Sequence, residues 1–345
     1  MELDSLSVLL IWTAIAIYAA AFVAYAFDLA RRSQLASDRK LAAAQLVERE
    51  LVGAAVAGSS VSTARTGGAS GSERTAKDGA VKGGTAEEAP RRFVMARIGT
   101  SLTVLGFVFH LGGTVLRGIA AERVPWSNMY EFAMTGTLLI VAVYLAVNLW
   151  ADLKYLGTFI LGLIVVLLGG AALGFYVQVV PLSDPLKSVW LVIHVFVASL
   201  GTAFFALAFA LSVLQLIQMR RESRILAGAE KTGPRFLATL PTAERMEGLA
   251  YRFATVGFIF WTFTLIAGAI WAQDAWGRYW GFDTKETWTF IIWVLYAGYI
   301  HARATRGWRG ARSAWLSIVG FTAVLFNFTI VNMFFKGLHV YSGLN

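Results

Sequence analysis

Cysteine is absent from all 345 residues, which removes disulfides, thiolate metal sites, iron–sulfur clusters and any Cys-x-x-Cys-His haem attachment within the chain. Charge is scarce as well. Charged residues make up 15% of the sequence while hydrophobic ones reach 57%, far more apolar surface than one soluble core of this length can hide. The composition therefore implies an integral membrane protein. Acidic residues are the scarcer charged class, 21 against 30 Lys and Arg, for a net charge of +9. The basic residues do not gather into a nucleic-acid stripe: 24 of the 30 fall in four stretches, 31–97, Lys154, 220–252 and 303–312.

Apolar runs long enough to cross a hydrocarbon core, which needs roughly 20 helical residues, occur at about 6–27, 93–118, 129–150, 155–180, 188–217, 250–272, 287–302 and 313–335. The expected fold is all-α and polytopic, with about eight transmembrane helices. Gly, Ser and Thr within the runs suit close helix contact, and barrel strands would alternate over about 10 residues instead. If eight helices alternate, the four basic stretches share one side. The positive-inside rule makes that side the cytoplasm and puts both termini outside. The first run lacks a basic leader and is followed at once by Arg31 and Arg32, so it is expected to stay as an anchor.

Three regions follow: an N-terminal anchor at 1–33, a cytoplasmic and largely disordered linker at 34–92, and a seven-helix membrane domain at 93–345. Within the linker, 34–51 has leucines that can prolong the first helix. Residues 52–90, with runs such as Gly67-Gly68-Ala69-Ser70, lack the apolar anchors needed to offset the entropy of ordering. The polar segment 220–249 suits a solvated cytoplasmic connection.

Four of the twelve tryptophans lie between Trp271 and Trp288, in the turn joining the sixth and seventh runs. An aromatic belt explains one or two rings per helix end. It does not explain Trp276, Trp280 and Phe282 within seven residues, with Gly277 and Gly281 each following a tryptophan. Those glycines would let a flat ligand approach the backbone. Asp283, with Glu286 three residues on, fits a capping box at the start of the seventh helix. Arg278 and Lys285 are candidates to pair with ligand carboxylates. Of the four histidines, His194 falls about six residues inside the outer end of the fifth run, roughly 9 Å deep, and His339 follows the eighth. Two imidazoles beside an aromatic platform suit the axial positions of a haem iron. His301 belongs near the other face, and His110 reads equally well as a ligand or as a packed polar residue.

The string Trp276-Gly277-Arg278-Tyr279-Trp280-Gly281-Phe282-Asp283-Thr284-Lys285-Glu286-Thr287-Trp288, followed by Trp293, Tyr296 and His301, resembles the WWD signature of haem-handling proteins. It most resembles the CcsA/ResC family (named CcsB in some bacteria), a subunit of the system II cytochrome c synthase. The likeness covers roughly 94–345, including Pro125, Ser127, Asn128, Tyr130 and Glu131. Phe282 stands where tryptophan is usual and Thr284 where proline is usual. The resemblance implies haem b as the substrate, ligated by His194 and His339 on the outer face and by His301 near the inner leaflet. It implies that His194, His339 and Asp283 carry the chemistry, and that Trp276, Gly277, Arg278, Trp280, Phe282 and Trp288 hold the porphyrin. It further implies a bacterial plasma-membrane protein and a holocytochrome c synthase activity shared with a CcsB/ResB-type partner. Apocytochrome c with a Cys-x-x-Cys-His segment, thiol-reducing proteins and no nucleic acid complete the expected partners. A haem exporter without ligation activity and a diheme electron-transfer cytochrome are the alternatives.

Overall fold

The computed structural model describes residues 2–61, 94–179, 187–229, 233–305 and 307–339. Every regular element among them is helical: α1 (Glu2–Val61), α2 (Val94–Ala121), α3 (Met129–Asn148), α4 (Gly157–Gly174), α5 (Val189–Leu226), α6 (Ala243–Trp276), α7 (Thr284–Thr305) and α8 (Ala311–Phe326). After α8 the helix widens into a π turn, Asn327–Val331, and closes with α9, Asn332–Phe334. Among the described residues seven helices are long and apolar enough to cross a membrane, one fewer than the apolar runs suggest. The difference is α7, a helix of 22 residues whose Thr, Lys, Glu and Tyr positions keep it outside the spanning set.

The first helix also departs from expectation. Its apolar part covers Leu3–Gln34, but the helix continues to Val61, ten residues into the stretch expected to be disordered. Ala, Leu, Glu and Arg, all strong helix formers, make up 12 of the 17 residues at 41–57 and sustain it. The remainder of the expected linker, 62–92, lies outside the described residues.

Small residues set how closely the helices approach. Gly201 of α5 and Gly257 of α6 meet so tightly that a Cβ on Gly257 would lie 2.7 Å from the Phe205 ring and 3.1 Å from the Gly201 carbonyl. In α7, Tyr296 stacks on Phe205 with centroids 3.6 Å apart and planes 5° from parallel. This tight α5–α6 seam brings the N-terminus of α5 to the C-terminus of α6. There Leu191, Val195 and Trp271 form a small cluster with Trp126, just ahead of α3.

The same end carries a buried ionic network. Glu131, fully buried, accepts from Arg117 Nε (3.0 Å), Arg123 Nη1 (2.7 Å) and the Ser127 backbone N–H (2.9 Å). Arg117 also donates to Asp4 (2.6 Å) and to the Val177 carbonyl (2.8 Å). These bonds tie the first turn of α1, the end of α2 and the start of α3 to the end of the bundle that holds the Trp-rich turn. At the opposite end Glu247 accepts from Arg303 Nε (3.3 Å) and the Gly310 N–H (2.9 Å).

Candidate functional site

The turn between α6 and α7 is built by its own sequence. Gly277 takes a left-handed φ of 71° and its N–H bonds the Gln273 carbonyl at 2.9 Å, which ends α6. Asp283 caps α7: its Oδ2 accepts from the Lys285 N–H (3.3 Å), while Glu286 reaches back to the Asp283 N–H (3.1 Å) and to the Gly281 N–H (2.9 Å). This is the reciprocal box expected from the spacing. Arg278 donates to Glu286 (3.4 Å), lies over the Trp276 ring at 5.9 Å and fills the space that a Cβ on Gly281 would need. Termination of α6 thus accounts for Gly277, and the Arg278 guanidinium accounts for Gly281, without a ligand against the backbone. Directly after Gly281 the chain holds Phe282 at a φ of 57°, strained for a residue with a side chain, and leaves it 81% exposed.

Asp283 does more than cap a helix. Its Oδ1 accepts from the Leu338 N–H (3.0 Å) and its Oδ2 from His339 Nδ1 (2.7 Å), which docks the tail after α9 onto the start of α7. Burial pushes the His339 imidazole below its ordinary value despite the opposing pull of Asp283. Burial would raise the Asp283 carboxyl, but the His339 bond and the Leu338 and Lys285 N–H groups hold it below the carboxylate range. Near neutrality the pair is a neutral imidazole donating Nδ1–H to a carboxylate, which makes Nε2 the lone-pair nitrogen.

His194 is fixed in the same way by a different element. Its Nδ1 donates to the Thr264 carbonyl of α6 at 2.9 Å, so Nε2 again carries the lone pair. The ring fits there because position 268 is glycine: a Cβ on Gly268 would stand 2.7 Å from His194 Cε1. Trp271 touches both imidazoles, stacked on His194 at 5.8 Å and edge-on to His339 at 5.4 Å. Trp276 packs edge-on against His339 at 4.7 Å.

Both histidines face a cavity of about 350 Å³ that runs from this end down between α3, α4, α5 and α8. Its wall is mostly apolar, with Trp126, Trp261 and Trp271 as the indoles and Lys285, Thr137 and Asn327 among the few polar groups. A smaller space of about 80 Å³ on the other side of the histidines is lined by Tyr279, Trp280, Lys285 and Glu286. Of the residues singled out from sequence, His194, His339, Trp271, Trp280 and Lys285 line these two spaces, and Trp276 and Asp283 contact His339 directly. Gly277, Arg278 and Phe282 stay in the turn, and Trp288 packs on Phe326 at 4.4 Å. Trp126, Trp261, Thr264 and Gly268 escape a sequence reading, since nothing in linear order ties them to His194. Trp126 stands out only as a tryptophan ahead of a helix, whereas Trp271 opens the tryptophan-rich stretch read from sequence.

Lys285 lines both spaces. Its Nζ donates to Asn332 Oδ1 at 2.6 Å, and among the described residues no carboxylate oxygen lies within 4 Å of it. A cation in the first turn of a helix opposes the macrodipole, so the position is not explained by helix stability. The other two histidines separate. His110 is fully buried, with Nδ1 at 3.3 Å from Tyr18 Oη and Nε2 at 2.9 Å from the Met134 carbonyl. Both ring nitrogens are engaged, which resolves it as a packed polar residue. His301 lies on an exposed face of α7, 17 residues from its start and thus roughly 25 Å away along the helix.

Residues 126–339 match the family model described as cytochrome C assembly protein, a stretch opening at the Trp126 wall and closing at His339. The chain is 35% identical over 243 residues to the cytochrome c biogenesis protein CcsA of Guillardia theta, covering 66% of this chain and 80% of that one. It is 30% identical over 298 residues to the protein of the same name from Gloeobacter violaceus, covering 73% and 88%. With that of Synechococcus sp. strain CC9902 it shares 34% identity over 250 residues, 66% and 81% of the two chains. Seven apolar helices, a match across most of the bundle and relatives of one name lead to a single assignment: the chain is a multi-pass membrane protein of the CcsA family and serves cytochrome c biogenesis.

Proposed function

We propose that the cavity binds haem b as substrate, with His194 Nε2 and His339 Nε2 as the axial ligands, and presents it for attachment to apocytochrome c. One observation carries the reading: two imidazoles from separate elements, each with Nδ1 held by an acceptor, face one apolar cavity of about 350 Å³, within the usual range for ligand sites. Metal-bound histidines commonly give their second nitrogen to a carbonyl or carboxylate in this manner, which fixes ring orientation and tautomer. Trp126 and Trp271 supply flat apolar walls, and Lys285 supplies a cation for a porphyrin carboxylate. Arg278, committed to Glu286, is the weaker candidate for that task.

In the reaction each cysteine S–H adds across a vinyl group: sulfur bonds the carbon next to the ring, the proton goes to the outer carbon, and no net electron transfer occurs. The chain's part is to hold the porphyrin plane and the iron while thiols approach. With no cysteine of its own, it depends on thiol-reducing proteins to keep the acceptor reduced. His301, exposed on α7, suits a haem shared with a CcsB/ResB-type subunit near the inner leaflet. A diheme cytochrome would need a second histidine pair inside this bundle, and the engagement of His110 with Tyr18 and Met134 argues against one.

The test is co-expression with the partner and an apocytochrome c in cells lacking their own maturation system. Covalent cytochrome is expected with the wild-type chain, and His194→Gly or His339→Gly should abolish it, with added imidazole restoring part of the yield. Full yield from both variants refutes the axial assignment, and haem binding without covalent product supports delivery alone.

A further inference from the structure

Next to the histidine cavity lies a second groove of about 220 Å³, whose wall includes Arg123, Val124, Trp126, Val189 and Val192, with Lys187 at its exposed rim. Trp126 and Leu191 line both spaces, so one indole separates them. Two N–H donors in this wall lack an acceptor: Trp126 Nε1 and Arg123 Nε. Trp126 is 8% exposed and the Arg123 side chain 8%. Buried donors without acceptors are rare and costly in folded proteins, and each calls for a partner.

The two donors need only two waters, roughly 60 Å³ at liquid volume, and the groove of about 220 Å³ has room for a larger ligand that replaces them. An anion is disfavoured, because Glu131 lies 2.7 Å from Arg123 Nη1 and already balances it. A neutral acceptor flanked by apolar groups fits better, since Val124, Val189 and Val192 would cover side chains while the donors take carbonyl oxygens. That description is a polypeptide in extended form.

We propose that this groove seats the segment of the acceptor protein adjoining its Cys-x-x-Cys-His, with main-chain carbonyls taking the Trp126 and Arg123 donors. The shared Trp126 wall then puts the following residues at the edge of the histidine cavity. The inference rests on the haem-presenting reading above.

The test is photo-crosslinking with the full chain in its own membrane. The benzophenone amino acid replaces Val124, and a control chain carries it at Leu226, at the far end of α5. The bait is an apocytochrome c with both cysteines changed to serine. Illumination should join Val124, and not Leu226, to bait residues within a few positions of the serine pair. Val189→Trp, which fills the groove, should lower the yield at least tenfold while the haem absorbance of the purified chain is unchanged. Trp126→Phe, which removes the indole N–H together with the five-membered ring, should lower it about three- to tenfold. Adducts confined to lipid or to other proteins, no adduct, or yields indifferent to both variants overturn the groove assignment. A chain with benzophenone at position 124 and no other change that carries haem but gives no adduct loses the groove alone, whereas adducts from a chain that never carries haem sink the haem reading and leave the groove standing.

Discussion

Asp283→Asn separates two roles of one carboxylate. Asn caps a helix as well as Asp does, so α7 should start normally. The tail contact cannot survive intact. One oxygen of Asp283 accepts from the Leu338 N–H, and the other from His339 Nδ1 and the Lys285 N–H, so all three partners are donors. An amide must turn its NH₂ toward at least one of them. The cheaper orientation sacrifices Leu338 and keeps the other two bonds, now to a neutral oxygen. A charge-assisted hydrogen bond stabilises by about 1.5–3 kcal/mol and a neutral one by about 0.5–1.5. The weakened His339 bond and the orphaned Leu338 N–H together give a loss of about 2 kcal/mol, or roughly 30-fold in haem affinity at 1.4 kcal/mol per decade. That lies within the 10–100-fold usual when a group orienting a metal ligand is changed. Titration of the purified variant with haem, followed by absorbance, measures the change, and circular dichroism checks the fold. Unchanged haem affinity in Asp283→Asn alongside a large loss in His339→Gly would refute the claim that Asp283 positions the imidazole.

Gly268→Ala puts a methyl 2.7 Å from the His194 ring and should cut haem affinity at least tenfold, although alanine favours the helix by about 1 kcal/mol. Gly248→Ala, in the same helix with nothing within 4 Å of the added carbon, should leave binding unchanged. Glu131→Ala strands Arg123 and removes one of the two carboxylates of Arg117, so stability should fall by about 3–5 kcal/mol, seen as a lower thermal midpoint in detergent. Burial holds the His339 imidazole below its ordinary value of 6.5, so its neutral, ligating form persists as pH falls from 8 to about 6.5. Haem should be lost only as pH drops further, through the folded-state value, and loss centred above pH 7 would contradict the burial.

Long apolar runs made the helices readable, because membrane length demands them. The Asp283–Glu286 box was readable too, since a cap is decided within four residues. What joins His194 to Thr264 and Gly268 is the α5–α6 seam, a contact between positions some 70 residues apart, which no local period encodes. The same holds for His110, whose partners Tyr18 and Met134 come from two other helices. A missing side chain does matter at both glycines of the turn. Their use differs: one ends a helix and the other makes room for Arg278. The extension of α1 to Val61 reflects helix propensity outweighing the lack of tertiary anchors that had suggested disorder.

The π turn at Asn327–Val331 has a bearing on how such a site can be retuned. A π turn carries one residue more than the α-helix it interrupts, and each residue of an α-helix advances about 100° round its axis. Deleting a single residue there would restore regular pitch and leave Asn332 and the departing tail in nearly the same phase, whereas a deletion in the regular part of α8 would swing Asn332 away from Lys285 and rotate the tail off Asp283. Helical phase, rather than any side chain in the turn, thus aims the second imidazole, and the π turn is where one codon can be gained or lost without changing that angle.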